Sequence, residues 1–407
     1  MNDRKMAPRI GFGILLLTLS IATGCDLPDS AEAGPGGFRV DTLENGRVQI
    51  TNYDGTWTAG GAWTAEEDLR IGTLDGEGPD QFGQIAALTT DPAGRIYVLD
   101  YMGQDIRVFE PDGSYSHTIG GKGEGPGELT DAAGLNWGPE GNLWVWDAAG
   151  RFSVFTPAGE FVTSKRRLVR GVVYPWRGGF DLDGSMIDWG LDYPGLDPRM
   201  GSGPTRIIYY PVRFSGDFED GDTLPNLEFE FELTDSGERM IFSEGLSPYQ
   251  DKRGAIWFAH NKAFTLYRRT LAGDTTLQFS IEATPAPVTG REIDSVRALY
   301  VEQGRPDSAP EPNMFASEKP MIRRIFGDDL GHLFVLSEQQ GLLLGTFVDV
   351  FSVDGRYLGR MDLGVQVHFP YPPPHATATH LYYVTTDDFG VEYVVRLRLH
   401  KPDQERE

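Results

Sequence analysis

Residues 76–109, GEGPDQFGQIAALTTDPAGRIYVLDYMGQDIRVF, return at residues 123–155 as GEGPGELTDAAGLNWGPEGNLWVWDAAGRFSVF, and this self-similarity decides the fold. The period is about 47 residues, and three separate features keep it. Phe82 and Leu129 follow the two Gly-Glu-Gly-Pro motifs at one offset, and Asp91-Pro92-Ala93-Gly94 answers Gly138-Pro139-Glu140-Gly141. The apolar runs Arg95–Asp100 and Ile106–Phe109 answer Asn142–Asp147 and Phe152–Phe155. Each copy reads as a short apolar strand, a Gly turn, an aromatic and β-branched strand, a polar loop and an alternating strand. A second Gly turn, at Asp112-Gly113 or Ala158-Gly159, leads to a last strand. Four antiparallel strands of this kind make one propeller blade, whose apolar faces are hidden only by stacking on further copies.

Working outward, the pattern returns at Gly331–Glu338 with Phe347–Phe351 and the turn Asp354-Gly355. Weaker copies stand at Gly179–Asp188, at Arg253–His260 with Phe264–Tyr267, and at Leu381–Thr386 with Tyr393–Leu397. Six units are counted, so the sequence predicts an all-β, six-bladed β-propeller over residues 38–400, followed by a polar tail at 401–407. Closing the ring needs an early strand beside the last blade, and Arg39-Val40-Asp41 or Arg47-Val48-Gln49-Ile50 could supply it. Residues 289–303, TGREIDSVRALYVEQ, carry apolar side chains at near-helical spacing and predict a helical insertion between blades four and five.

The recurring G-E-G-P-x-x-[F/L], followed in the first copy by D-P-x-G-R-I-Y-V-x-D, resembles the NHL-repeat and TolB-like six-bladed propellers. It is closer still to the six-bladed propeller lipoproteins of bacteria. The specific motifs cover residues 72–160 and 327–364, and the resemblance implies a fold more than an activity.

Ahead of the repeats, Arg4, Lys5 and Arg9 precede a short apolar core, Ile10–Ile21, that ends in Ala22-Thr23-Gly24. This is the pattern of a signal peptide over residues 1–24, and the core falls short of the roughly 20 apolar residues a spanning helix needs. Ala22-Thr23-Gly24-Cys25 resembles the lipobox of bacterial lipoproteins, with Ala22 where that family usually has Leu. The resemblance implies cleavage between Gly24 and Cys25, and acylation of Cys25, the only cysteine in the chain. Residues 25–37 then read as a flexible polar tether. The expected location is the cell envelope, with the membrane contacted through lipidated Cys25 and the choice of inner or outer membrane left open by Asp26.

The formal charge is −24, which excludes a nucleic-acid-binding surface of the usual basic kind. Gly120–Gly127 is not a phosphate loop, because the Gly-Lys-Ser/Thr ending is missing and Glu124 would repel phosphate. Asp181-Leu182-Asp183-Gly184 lacks the later ligands of a calcium loop and matches a hairpin turn. The seven histidines fall in no catalytic motif.

Propeller topology supplies the candidate binding face, because loops after each second strand emerge on the side where the inter-blade connections run. That rule gathers Asp100, Tyr101, Asp147, Asp188, Trp189, His260, Asn261, Glu338 and Asp387, with Lys122 and Glu124 from one connection. Such a ring of carboxylates with a His and an Asn could hold a divalent cation, calcium or zinc. Two functions therefore stay open. One is a monomeric, tethered binding or scaffold module for a glycan, peptide or envelope protein. The other is a metal-dependent hydrolase or lyase, as resemblance to lactonase and amidating-lyase propellers implies.

Overall fold

The computed structural model describes residues 37–402 apart from 59, 75, 77, 172, 174–175, 195–205, 216–217, 219, 231–233, 235–239, 244, 261, 303, 338–343 and 369–371. Gly24, Cys25 and the tether up to residue 36 lie outside the described residues.

Six antiparallel sheets form the six-bladed propeller. Blade one is Ile85–Thr90, Ile96–Asp100, Asp105–Phe109 and Tyr115–Gly120, and blade two is Ala132–Trp137, Leu143–Asp147, Arg151–Phe155 and Phe161–Arg166. In blade three, Gly179–Phe180, Met186–Asp192 and Arg206–Phe214 are flanked by two short outer strands, Gly221–Thr223 and Leu227–Glu230. Blade four is Leu246–Gln250, Ile256–His260, Thr265–Arg269 and Thr275–Ile281; blade five is Arg324–Gly327, Leu333–Leu336, Leu344–Phe351 and Tyr357–His368.

The second strand of each blade is pressed between neighbours on both faces, which is why Ile96–Asp100 and Leu333–Leu336 are buried at every residue. Between blades one and two, Tyr97, Leu99, Ile106 and Val108 meet Leu143, Val145 and Phe155. Between blades two and three, Trp146, Phe152, Trp176, Met186 and Phe214 form one cluster, with the Trp146 and Trp176 rings parallel at 6.5 Å. Each large side chain so buried contributes about 1.5–3 kcal/mol, and no blade can collect that alone.

Ring closure corrects the sequence expectation. Blade six is His375–Ala376, His380–Thr386 and Glu392–His400, and its outer strand is Thr64–Ile71, antiparallel to Glu392–His400. The two earlier segments form a hairpin, Phe38–Thr42 with Val48–Asn52, and Val48–Asn52 adds in parallel to Thr275–Ile281 of blade four. The segment between crosses blade five. Asn52 Nδ2 donates to the Gly355 carbonyl at 3.1 Å, Asn52 Oδ1 accepts from Tyr357 N at 2.9 Å, and Trp57 N donates to the Leu358 carbonyl. The first described strands thus belt blades four, five and six.

Lys401, expected at the start of the tail, is part of the fold instead. Its ammonium lies 3.3 Å from Asp328 and 4.2 Å from the Trp63 ring centre, tying the end of the last strand to blade five. Between blades four and five, Gly290–Glu302 is a helix, started by a capping box in which Thr289 and Glu292 satisfy each other's backbone N–H groups. Lys319 pairs with Glu292 at 2.8 Å, and Phe315 bridges to Ile241 in the connection between blades three and four.

Candidate functional site

The ring has two unlike faces. On the hairpin face, the turns joining first to second strands in blades one, four and five are tight. Asp251 is representative: its carboxylate accepts from the N–H groups of Arg253 and Ala255 at 2.9 Å each and from Trp257 Nε1 at 2.8 Å. Asp91 and Asp328 repeat the arrangement, with Arg95 and His332 as the added donors. Gly94, Gly254 and Gly331 follow three residues later with φ between +79° and +89°, a conformation that excludes most side chains.

The connection face carries the candidate residues, and the carboxylates of Asp100, Asp147 and Asp188 are buried, against expectation. Asp100 accepts from Gly83 N at 2.9 Å, Gln84 N at 3.1 Å and Met102 N at 3.0 Å, and pairs with Arg107 at 2.9 Å. Arg107 in turn donates to the carbonyls of Pro79 and Gln81. Blade two repeats this: Asp147 holds Thr130 N, Asp131 N and Ala149 N, while Arg151 pairs with it at 3.4 Å and reaches the Glu128 carbonyl at 2.8 Å. The Gly-Glu-Gly-Pro connections are therefore clamped from below by an Asp–Arg pair at the end of the second strand.

In blade three the arginine comes from the connection itself. Arg167 lies 2.7 Å from buried Asp188, which also accepts from Trp176 Nε1 at 3.0 Å and Trp189 N at 2.8 Å. Burial pushes the Asp188 carboxyl up and Arg167 opposes it, so the pair works only as a pair. Trp189 is wholly buried in the cluster between blades three and four and offers nothing to a ligand.

The remaining candidates also divide. Tyr101 donates to Asp131 at 2.7 Å. Asp387 is held by Phe389 N, Val391 N and the Tyr393 hydroxyl, an arrangement like the hairpin-face turns. His260 takes the place of Asp100 in blade four, exposed, with ring contacts to Phe229, Phe258 and Tyr267. Lys122 and Glu124 are exposed, and Asn261 and Glu338 lie outside the described residues. Among the described residues, no group of three or more His, Cys, Asp or Glu side chains could hold a metal ion. Among the described candidates, Asp100, Asp147 and Asp188 each belong to a separate clamp, and Asp387 to a turn.

Sequence reasoning overlooked the clamp partners Arg107, Arg151 and Arg167, and also Gln104. Gln104 adopts φ +53°, donates to the Tyr101 carbonyl and accepts from Ala132 N of blade two at 2.8 Å. The spacing of Asp147 to Arg151, an aspartate ending one strand and an arginine opening the next, is the signal that could have found the arginines.

Comparison with known proteins supports the fold. A family model described as a 6-bladed beta-propeller matches residues 77–151. A protein described as exported, from Bacteroides fragilis, is 13% identical with a TM-score of 0.51, covering 87% of this chain and 99% of its own. A member of the duf4221 family from Bacteroides vulgatus is 11% identical with a TM-score of 0.51, covering 84% of this chain and 99% of its own. No curated protein matches the chain in sequence. The chain is a six-bladed β-propeller similar to these proteins in fold.

Proposed function

We propose that this chain is an exported, membrane-tethered binding module that holds a peptide, glycan or envelope protein on its connection face. The observation that carries the reading is the asymmetry between the faces. Hairpin-face turns such as 91–95, 251–255 and 328–332 have one length and one hydrogen-bonding scheme. The connections at 72–84, 121–131, 167–178 and 282–323 differ in length and content, and the last carries a helix. Irregular loops on a rigid frame are where binding residues concentrate, because they change without cost to the core. Over blades six and one, Phe389 (79% exposed) and Met102 (62% exposed) reach solvent from neighbouring loops.

The test is a photo-crosslinking residue placed at Met102 or Phe389, with Leu182 of a hairpin-face turn as control, in cells exporting the full chain. Adducts from the first two positions and none from Leu182 are expected. Adducts from Leu182 alone, or none anywhere, contradict the reading. The tether is tested separately: Cys25→Ser is expected to abolish acyl labelling and detergent partitioning, and an unchanged membrane fraction defeats it.

A further inference from the structure

We infer that the outer edge of blade two, Phe161–Arg166 and its continuation to Arg170, is a docking strip for an extended acidic, apolar peptide that adds to the sheet as a fifth strand. The strand Phe161–Arg166 is separate from the loops proposed above, while residues 167–170 open the connection to blade three, where the Arg170 carbonyl accepts from the Tyr210 hydroxyl. Phe161–Arg166 is the outermost strand of its blade, so every second residue turns its N–H and C=O away from the sheet, a template for a further strand. The fold itself shows that such an edge accepts one: Val48–Asn52 pairs in parallel along the outer strand of blade four over five residues.

The charge on this edge sets it apart. Cations on the outer strands elsewhere are neutralised within their own blade. Glu228 pairs with Arg206 in blade three, Arg360 with Asp349 in blade five, and Glu67 with Arg70 and Asp68 with Arg396 and Arg398 in blade six. Blade two presents Lys165, Arg166 and Arg170, and none of them has a carboxylate partner among the described residues. The one cation of the run that does, Arg167, is the buried partner of Asp188.

A lysine on an edge strand also serves to discourage aggregation. That role does not explain cations continuing past the strand into the connection, nor the apolar side chains among them. Phe161, Val162 and Leu168 are 37%, 48% and 47% exposed. In a chain of formal charge −24, this strip is complementary to a peptide alternating carboxylates with apolar residues.

The experiment measures fluorescence anisotropy of a labelled peptide alternating Val and Glu against the full-length chain. Saturable binding is expected, weakened about tenfold or more when Lys165→Glu, Arg166→Glu and Arg170→Glu are combined, and weakened again by high salt. The same peptide N-methylated at every second residue is expected not to bind, a readout of strand pairing that leaves the protein unaltered. No binding of the plain peptide, equal binding to the triple variant, or equal binding of the N-methylated peptide overturns the proposal. So does binding to phosphatidylglycerol vesicles in place of the peptide. Met102→Glu with Phe389→Glu is expected to leave peptide affinity unchanged, so failure here and failure of the connection-face reading are told apart.

Discussion

On the hairpin face, Asp251 accepts N–H groups from residues two and four places ahead of it, whereas on the connection face Asp100 and Asp147 hold N–H groups 16 and 17 residues behind them. One residue type thus does local work in the hairpin turns and, at Asp100 and Asp147, long-range work on the connection face. The local aspartate shapes a turn that Gly254 already favours. The long-range aspartate fixes where a whole connection crosses from one blade to the next, and it does so paired with an arginine.

The difference is measurable. The largest effect is expected at Asp188, whose partner Arg167 is itself 5% exposed and would be left charged and unpaired. Asp188→Ala should cost about 3–5 kcal/mol of unfolding free energy in a denaturant titration. A loss below about 1 kcal/mol would place Asp188 with the local turns. On the other face, Asp251→Ala removes the carboxylate that accepts from two backbone N–H groups and from Trp257 Nε1, in a turn that keeps its glycine. A loss of about 1–2 kcal/mol is expected by the same titration, and a loss equal to that of Asp188→Ala would erase the distinction.

The smallest effect is expected from acid, at the first strand of blade six. His375 Nε2 lies 2.9 Å from Thr90 Oγ1, and burial, then Lys252, push its pKa down to about 4, with Asp329 opposing. The folded state therefore holds His375 neutral where the unfolded chain takes up a proton near pH 6.5. Its contribution is complete above about pH 6.5 and is lost as pH falls toward 4. Thermal unfolding between pH 7.5 and 4.5 should show a shallower loss for His375→Gln than for the unaltered chain. A steeper loss in the variant would reverse the sign.

What the sequence revealed follows the same division. Turns, blade count and the helix after Thr289 are written in short spacings, Asp to Gly within four residues or Thr to Glu within four, and these carry their own geometry. The burial of Asp100 was hidden because Gly83 and Gln84, which it holds, belong to another element. The closing strand was hidden by its chemistry. Thr64–Ile71 contains Glu66-Glu67-Asp68 in a row, and of its side chains only Ile71 is buried, with Ala65 and Leu69 half-buried, so it lacks the alternation that marks a strand. Its Asp68 is answered by Arg396 and Arg398 from the far end of the chain. Val48–Asn52 has the better strand pattern but is already paired on blade four.

That closure is the claim on which both faces depend. Glu66 and Arg398 stand directly opposite in the pairing of Thr64–Ile71 with Glu392–His400. In a chain carrying Cys25→Ser, Glu66→Cys with Arg398→Cys should form an intramolecular disulfide under mild oxidation and raise the unfolding temperature. Failure of that pair to link, or equally ready linking of Arg47→Cys with Arg398→Cys, would show that a different early strand closes the ring.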